Sequence, residues 1–356
     1  MNYLAYLHSL WFTHKKLFEI FEKQKDYKYF FENLSEKLLQ KYWFNTEFIE
    51  KILSNLKKLN TKFLDEKLKN LEVKIIEYDN ILYPKNLLQI ANPPYFLYVR
   101  WELDSKDEYF WVVWSRKISN YAKKAWEFII PDLTKYFTIV SGWAWWCDSL
   151  AHKLAVENNA KTIVVFGTWI DIIYPPANKN LFENVIKKSW ALISIFPIWT
   201  LGSVYSFPVR NEVVSWMSKW ILVLQAWEKS WTLITANLAL DQWRDLFAVA
   251  WDIFLQDFVW CNELIKTSQA KLVSNSSDIL SEYSYKVLAD KSKNPEFENE
   301  VQKDIFTLLK YNLNLWVDDF LQKTNYTYDE ITLNLSMLEL LGYIKKDLFW
   351  KYEIIF

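Results

Sequence analysis

The chain has 356 residues, of which 21 are Trp and only 4 are Gly, whereas glycine makes up about 7% of an ordinary soluble protein. Two Cys and three His exclude a disulfide framework and a zinc enzyme. A net charge of −1 gives no bulk attraction to nucleic acid, and no apolar run is long enough to span a membrane.

The elements predicted along the chain change in character at Val73. Residues 1–72 carry apolar side chains three and four positions apart, which predicts a small helical domain. From Val73 onward, short β-branched runs alternate with helical stretches, a pattern typical of βαβ units and therefore of an α/β fold with a parallel sheet. The runs occupy 73–78, 95–100, 109–114, 137–141, 162–167, 191–197, 221–226 and 246–250.

The C-terminal part of the chain is again helical. A polar stretch that includes LADKSKNPEFENE predicts a linker, which we place at 286–297. Residues 298–356 form a final helical segment that ends in short apolar strands. The sequence therefore predicts a sheet domain over 73–285 between two smaller helical regions.

Trp is concentrated where the predicted strands turn into helices. The strand ends read VVWSRK, IVSGWAWWCDS, VVFGTWID, VLQAWEKSWTLIT and AVAWD. Such turns favour glycine, which tolerates positive φ and lets an anion approach the backbone, whereas an indole blocks that approach. The junctions KKSWALI, MSKWILV and DQWRDLF place Trp where helices often end in glycine. We therefore hypothesise that the source reads UGA as glycine, and that these Trp do not form a stacking platform.

Glycine at these positions completes five motifs in order between residues 111 and 251. They are a Gly-Ser-Arg turn, Ser-Gly-x-Ala-x-Gly-x-Asp followed by Ala-His, Gly-Thr-Gly-x-Asp-x-x-Tyr-Pro, Phe-Pro-x-Arg-Asn, and Lys-Ser-Gly-x-Leu-Ile-Thr-Ala. Together they resemble the DNA-processing protein A family, DprA or Smf. The resemblance implies a Rossmann-like domain over 73–285, a SAM- or HhH-like helical domain over 1–72 and a winged helix over 298–356. Glu212 departs from the family pattern, which has a basic residue there.

The resemblance also implies a function without catalysis. Family members bind incoming single-stranded DNA during natural transformation, protect it, help to load the RecA recombinase onto it, and act as dimers. Because the N-terminus has no signal-peptide pattern, we expect a cytoplasmic protein that needs no membrane. The resemblance implies that it forms a homodimer and needs no cofactor. One alternative is a nucleotide-processing enzyme of the phosphoribohydrolase type, although AWEKSWTLIT lacks the Pro-Gly-Gly turn of those enzymes. Another is a regulator that binds DNA through the winged helix.

Candidate binding residues lie at the predicted carboxyl edge of the sheet, where open parallel sheets bind ligands. Arg116 and Arg210 can each hold phosphate with paired hydrogen bonds. Phe207 offers a face for base stacking, unless it belongs to the core. The nucleic-acid-binding site that we predict comprises Trp114, Ser115, Arg116, Ser141, Gly142, Lys179, Phe207, Arg210, Asn211, Lys229 and Ser230, with no catalytic and no metal-binding residue.

Two further features of this edge leave alternatives open. Asp148 and His152 are four residues apart on one helix face, where they can form an acid–base pair or, as we favour, a helix cap and a packed turn. Lys179 and Lys229 suit a contact with a DNA strand and equally suit a solvated surface.

Overall fold

The computed structural model describes residues 1–22, 25–104, 106–114, 118–143, 147–172, 191–226, 231–252, 259–285, 297–312, 315–347 and 350–354. The chain divides into two compact units, Met1–Ile279 and Leu280–Phe356. The finer division into a helical domain over 1–72, a sheet domain, a linker and a winged helix stays a prediction. Within the described ranges, no helix is both long and apolar enough to cross a membrane.

The N-terminal segment forms short helices, most of which begin at a side chain that caps them. Thr13, Asp26, Ser35, Asn45 and Asn60 each accept a hydrogen bond from the backbone N–H three residues further on. Their apolar faces share one buried cluster with side chains of the sheet, so the helices pack directly on it. The helices are α1 (Tyr3–Ser9), α2 (His14–Phe21), α3 (Tyr27–Glu32), α4 (Glu36–Lys41), α5 (Thr46–Lys58) and α6 (Thr61–Asn70).

A nine-stranded sheet of described residues forms the centre of the first unit, in the order β1-β2-β6-β5-β4-β3-β7-β8-β9. Each of the runs predicted from sequence overlaps one strand, and the short β9 has no counterpart among them. The strands are β1 (Val73–Glu77), β2 (Phe96–Arg100), β3 (Tyr109–Val113), β4 (Thr138–Ser141), β5 (Thr162–Phe166), β6 (Leu192–Ser194), β7 (Ser218–Val223), β8 (Asp245–Val249) and β9 (Lys271–Val273).

Seven neighbouring strands of the sheet run parallel, in the order β6-β5-β4-β3-β7-β8-β9, which confirms the predicted parallel core. At the other end, β1 pairs antiparallel with β2, and β2 pairs antiparallel with β6. The expectation of βαβ units throughout is therefore wrong for the first two strands. Only a 3₁₀ helix, Lys85–Gln89, lies between them, and a parallel crossover needs a longer connection.

The strand order places a topological switch point beside β3. The chain runs outward through β4, β5 and β6, then returns to add β7 on the other side of β3. In open α/β sheets, ligands bind outside the carboxyl ends of the strands at such a point. The helices of this region are α7 (Asn120–Leu133), α8 (Cys147–Glu157), α9 (Ser206–Met217), α10 (Trp231–Asp241), α11 (Val259–Lys266) and α12 (Ser276–Glu282).

The second unit has its own small core. Ile305, Phe320 and Leu335, one from each of its three longer helices, are fully buried there. A two-stranded antiparallel hairpin closes the unit. Its elements are α13 (Glu300–Tyr311), α14 (Val317–Lys323), α15 (Tyr328–Leu340), β10 (Ile344–Lys346) and β11 (Tyr352–Ile354). The helical segment with terminal strands is as expected, and its assignment as a winged helix stays a prediction.

Several helix ends place Trp in the left-handed backbone region. Trp43 follows α4 with φ 59° and Trp243 follows α10 with φ 58°. Each lies in the paired hydrogen-bond pattern of a Schellman motif, and Gly342 occupies the same position after α15 with φ 74°. Among the described residues with positive φ, Trp is the most frequent type: Trp11, Trp43, Trp101, Trp199, Trp243 and Trp350. Gly342 shows which residue this geometry favours.

Candidate functional site

The candidate site is built where β4 and β5 end and α9 crosses their carboxyl ends. Ser141 is the last residue of β4 and is fully buried, and its Oγ donates a hydrogen bond to Asp148 Oδ1 at 3.0 Å. Gly142 follows directly. Asp148 belongs to the first turn of α8, so this carboxylate connects the helix start to the strand end. This hydrogen bond therefore joins the end of β4 to the first turn of α8.

Arg210 reaches from α9 to the turn at Gly142. A Cβ on Gly142 would lie 1.9 Å from Arg210 Nη1, so only glycine leaves room for the guanidinium. Nη1 donates to the carbonyl of Val165 at 2.9 Å, and Nη2 lies 3.8 Å from Asp148 Oδ2. Burial lowers the pKa of Arg210, and the charge of Asp148 opposes that shift. The guanidinium is thus directed into the protein, with 3% of the residue exposed.

His152 of α8 also contacts the backbone at Gly142. Its Nε2 lies 2.9 Å from the carbonyl oxygen of Gly142, and its Nδ1 lies 2.7 Å from Thr162 Oγ1. Because a carbonyl can only accept, Nε2 carries the proton and donates it to Gly142. Burial lowers the pKa of His152 to about 4, against a smaller raising effect of Asp148. Both ring nitrogens of the neutral imidazole are engaged, which favours a structural role over an acid–base pair.

Phe207 is half-buried at the start of α9, so it is neither wholly core nor wholly surface. Its ring packs closely on Gly167, which follows β5, and on Gly202, where an added Cβ would lie 2.7 Å and 2.9 Å from ring atoms. The guanidinium carbon of Arg210 lies 5.9 Å from the ring centroid, within the range of a cation–π contact. Tyr205, two residues earlier, is 82% exposed. Aromatic surface is therefore available beside the positive charge.

The other candidate residues fall into two groups. Asn211 is half-buried and its Oδ1 accepts a hydrogen bond from Arg210 Nε at 2.9 Å. Trp114 directly follows β3 and is buried, with its ring packed edge-on against Trp126 of α7 at 4.9 Å. Ser115, Arg116, Lys179, Lys229 and Ser230 lie outside the described residues.

The structure thus brings five of the candidate residues into one group of contacts. Ser141 and Gly142 come from β4 and its turn, and Phe207, Arg210 and Asn211 come from α9. Sequence reasoning missed the carbonyl of Val165, since a backbone acceptor leaves no mark in a residue pattern. Among the described residues, no three His, Cys, Asp or Glu side chains are grouped to hold a metal ion.

Known proteins that are similar in sequence to this chain belong to one family. A family model described as DNA recombination-mediator protein A matches residues 74–284. The chain is 34% identical to the DNA processing protein DprA of Streptococcus pneumoniae over 204 residues, which cover 57% of this chain and 72% of that one. It is 32% identical to the protein Smf of Escherichia coli over 280 residues, covering 76% of this chain and 74% of that one. The match to the protein Smf of Synechocystis, at 32% identity, covers 65% of this chain and 60% of that one.

Solved structures show the same fold. The crystal structure of DprA from Streptococcus pneumoniae aligns with a TM-score of 0.66 and 26% identity, covering 80% of this chain and 99% of that one. A structure of DNA processing protein A from Helicobacter pylori, which concerns the single-stranded DNA binding mode of that protein, aligns with a TM-score of 0.52 and 24% identity. That alignment covers 60% of this chain and 96% of the other. The chain belongs to the DNA recombination-mediator protein A family, the family of DprA and Smf.

Proposed function

We propose that this protein binds single-stranded DNA at the carboxyl edge of its sheet and serves DNA processing in natural transformation or recombination. The observation that carries the proposal is the group formed by the turn at Ser141 and Gly142 with Phe207 and Arg210 of α9. Membership of the family and the single-stranded DNA bound by the Helicobacter pylori relative support the same function.

The strand-end turns would capture phosphate. Turns after parallel strands expose backbone N–H groups that anions approach closely. We propose that Arg116, after β3, adds a guanidinium fork to these donors, together with Ser115, Lys179, Lys229 and Ser230. Arg210 then acts as a positioning residue, since its Nη1 donates to the carbonyl of Val165 and its guanidinium packs against Gly142.

Base stacking would supply the second part of the affinity. The half-buried Phe207 and the exposed Tyr205 lie two residues apart at the start of α9, and stacking on an aromatic ring contributes about 1–3 kcal/mol per base without sequence preference. This arrangement explains how a chain of net charge −1 can hold a polyanion, because a few local donors replace a bulk positive field.

The resemblance extends the proposal to partners. We propose that the protein acts as a cytoplasmic homodimer, protects the bound strand and helps to load RecA onto it, without catalysis and without a cofactor. Formation of the dimer and binding of RecA can be tested by mixing the purified protein with RecA and measuring the masses of the complexes in solution. Retention of a monomeric mass with no RecA complex would remove both partners from the proposal.

The binding proposal is tested by fluorescence anisotropy with a labelled oligo-dT strand, the matching duplex, and free nucleotides with product analysis. We expect tight binding of the single strand, with an affinity that falls as salt rises, because bound counterions are released. Arg116→Ala should weaken binding about tenfold or more. Lys74→Ala, which removes an exposed charge from the distant strand β1, is the matched control.

Three results would contradict this proposal. Equal affinity of the Arg116→Ala and Lys74→Ala variants would remove the phosphate contact. A preference for duplex would favour a DNA-binding regulator, and hydrolysis of a nucleotide would favour the enzyme alternative.

We further propose that most of the 21 Trp are glycines in the natural protein because its source reads UGA as glycine. The left-handed backbone of Trp43 and Trp243, which matches that of Gly342, supports this reading. Buried indoles support it as well: Trp126 and Trp220 are fully buried, and their Nε1 groups have no hydrogen-bond partner among the described residues. The intact mass of the natively expressed protein tests the proposal, and a mass of 43.0 kDa would contradict it.

A further inference from the structure

A cavity of about 330 Å³ opens on the side of α9 next to the candidate site. Its walls are mostly apolar and include Ile90, Pro94, Ile195, Val209 and Val213. The volume lies at the small end of the range of 300–1,000 Å³ that is typical of small-molecule pockets. None of the described residues that line it is a Trp.

His14 forms a neutral and rigid part of the wall. The backbone N–H of Tyr95 donates to its Nδ1 at 3.1 Å, and its Nε2 donates to the carbonyl of Ile195 at 2.8 Å. Burial lowers the pKa of His14 to about 4, so the ring is uncharged at neutral pH. Both nitrogens are engaged, and the ring therefore presents an uncharged aromatic surface and no free hydrogen-bonding group.

Glu212 is the acidic group of the cavity. Its carboxylate is half-buried, and burial raises its pKa above the usual value. It makes no hydrogen bond or ion pair with any residue in the described ranges. A carboxylate in an apolar wall is stabilised only by N–H or O–H donors, since it can accept but not donate. A ligand that places N–H donors against this carboxylate and apolar surface against the walls therefore suits the cavity.

Among the nucleobases, guanine has the edge that matches this requirement. Its ring N1–H and exocyclic N2–H₂ are adjacent donors, and a carboxylate can accept from both. Adenine and cytosine place a ring acceptor beside their amino group, and thymine places its single N–H between two carbonyls, so each would turn an acceptor toward the carboxylate. Bases taken out of a stack are read in this way, by hydrogen bonds to the Watson–Crick edge and by packing between apolar side chains.

The cavity is placed to receive a base from a strand at the candidate site. Phe207 and Arg210 lie three residues apart on one face of α9, and Val209, Glu212 and Val213 form the adjacent face. The end of β5 contacts Phe207, and the chain just after the neighbouring strand β6 lines the cavity. Because β5 and β6 are neighbours and Val209 lies on α9 between Phe207 and Arg210, the cavity is adjacent to the place where a DNA strand would stack on Phe207.

We propose that this cavity binds a guanine base, with the carboxylate of Glu212 accepting hydrogen bonds from guanine N1–H and the exocyclic amine. The proposal rests on the proposed function in that the base comes from a bound DNA strand, and a free guanine nucleotide would use the same contacts. Lys15 lies at the cavity as well and can meet a phosphate outside it. The negative charge of Glu212 keeps phosphate itself out of the cavity.

The test uses the full chain and labelled oligo-dT strands that carry one central dG, dI or dA. We expect the dG strand to bind roughly fivefold to hundredfold more tightly than oligo-dT, the range for a good bidentate contact to a base. The dI strand, which lacks the exocyclic amine, should lose most of that gain, and the dA strand should show none. Glu212→Gln should abolish the preference for dG and keep the affinity for oligo-dT. Glu36→Gln, which removes an exposed charge on α4, should retain the preference.

Calorimetry with dGMP alone distinguishes the two sources of guanine. Binding of dGMP that is lost in Glu212→Gln shows that the free nucleotide suffices, and a preference seen only in strands shows that DNA must deliver the base. Equal affinity for dG and dT strands, with no binding of dGMP, would overturn the cavity proposal and leave the proposed function intact. Absence of oligo-dT binding would instead count against the proposed function, and the dGMP titration would then decide the cavity proposal separately.

Discussion

Glycine is needed for two different physical reasons in two regions of this molecule. At Gly142 the reason is space, because a Cβ would lie 1.9 Å from Arg210 Nη1. At Gly342 the reason is backbone conformation, because φ is 74° and nothing lies within 4 Å of an added Cβ. Trp43 and Trp243 share the second situation, with φ of 59° and 58° and with 92% and 95% of the residue exposed.

The difference shows which positions can carry an indole in a folded chain. The close-approach positions Gly142, Gly167 and Gly202 are all written as glycine, and each is filled by Arg210 or Phe207. The helix ends point toward solvent, so a large side chain fits there and only the backbone is strained, by about 1–2 kcal/mol per residue. These three close-approach positions therefore depend on glycine, whereas the helix ends tolerate Trp at a cost.

The largest effect is expected from Gly142→Ala. The added Cβ must displace the guanidinium of Arg210, which would lose its hydrogen bond to Val165 and its ion pair with Asp148. Breaking a buried ion pair in this way costs about 3–5 kcal/mol. We expect that loss in the free energy of unfolding, measured by urea denaturation.

Gly342→Ala is the matched control for that substitution. It adds the same methyl group where only φ is unfavourable, so its cost should be about 1–2 kcal/mol. If the two alanine variants lost the same stability, close approach at Gly142 would not be the reason for its glycine.

The second-largest effect is expected from acid, which should lower the free energy of unfolding through His152, the residue that holds the carbonyl of Gly142. The pKa of His152 is lowered from 6.5 to about 4, so above pH 6.5 the imidazole is neutral in both the folded and the unfolded chain. Between pH 6.5 and 4 only the unfolded chain binds the proton, and stability falls as pH falls, by about 3 kcal/mol from this group.

The measurement is the free energy of unfolding against pH for the natural chain and for His152→Gln. His8 and His14 are also buried and titrate in both proteins, so the difference between the curves isolates His152. Parallel curves would show that the ring does not hold the carbonyl of Gly142 in its neutral form.

The smallest effect on the free energy of unfolding is expected from a substitution at the end of a helix. Trp243→Gly should raise the free energy of unfolding of the chain as written by about 1–2 kcal/mol, because left-handed strain is removed and an indole that is 95% exposed contributes little burial. Trp243→Ala removes the indole and keeps the strain, so it should gain much less. Equal melting temperatures for the two variants would assign the effect to the indole instead of the backbone.

Much of the sheet could be predicted because its strands are buried runs with a local signature. Every residue of β5 is buried, and such strands read as continuous apolar stretches. The strand β9 escaped prediction because two of its three residues, Lys271 and Leu272, are exposed. The antiparallel pairing of β1 with β2 also escaped, since strand direction depends on the connection and not on the residues within the strand.

The candidate site was likewise predictable in part. Its position at the strand ends followed from the spacing of strands and turns, and the structure brings Ser141, Gly142, Phe207, Arg210 and Asn211 together there. The direction of the Arg210 side chain did not follow, because a basic residue near a sheet edge was expected to face a ligand. Two of its partners, Val165 and Asp148, belong to chain segments far away in sequence.

The sequence by itself determined the approximate positions of the buried strands and the helical character of the N-terminal segment, through apolar runs and helical spacing. These features depend on a residue and its near neighbours in the chain. The tertiary structure alone decided that Arg210 meets Val165 and Gly142, and that α9 and β6 enclose a cavity around Glu212. Such contacts join residues brought together by strand order, which is set by the packing of the whole sheet and leaves no local pattern.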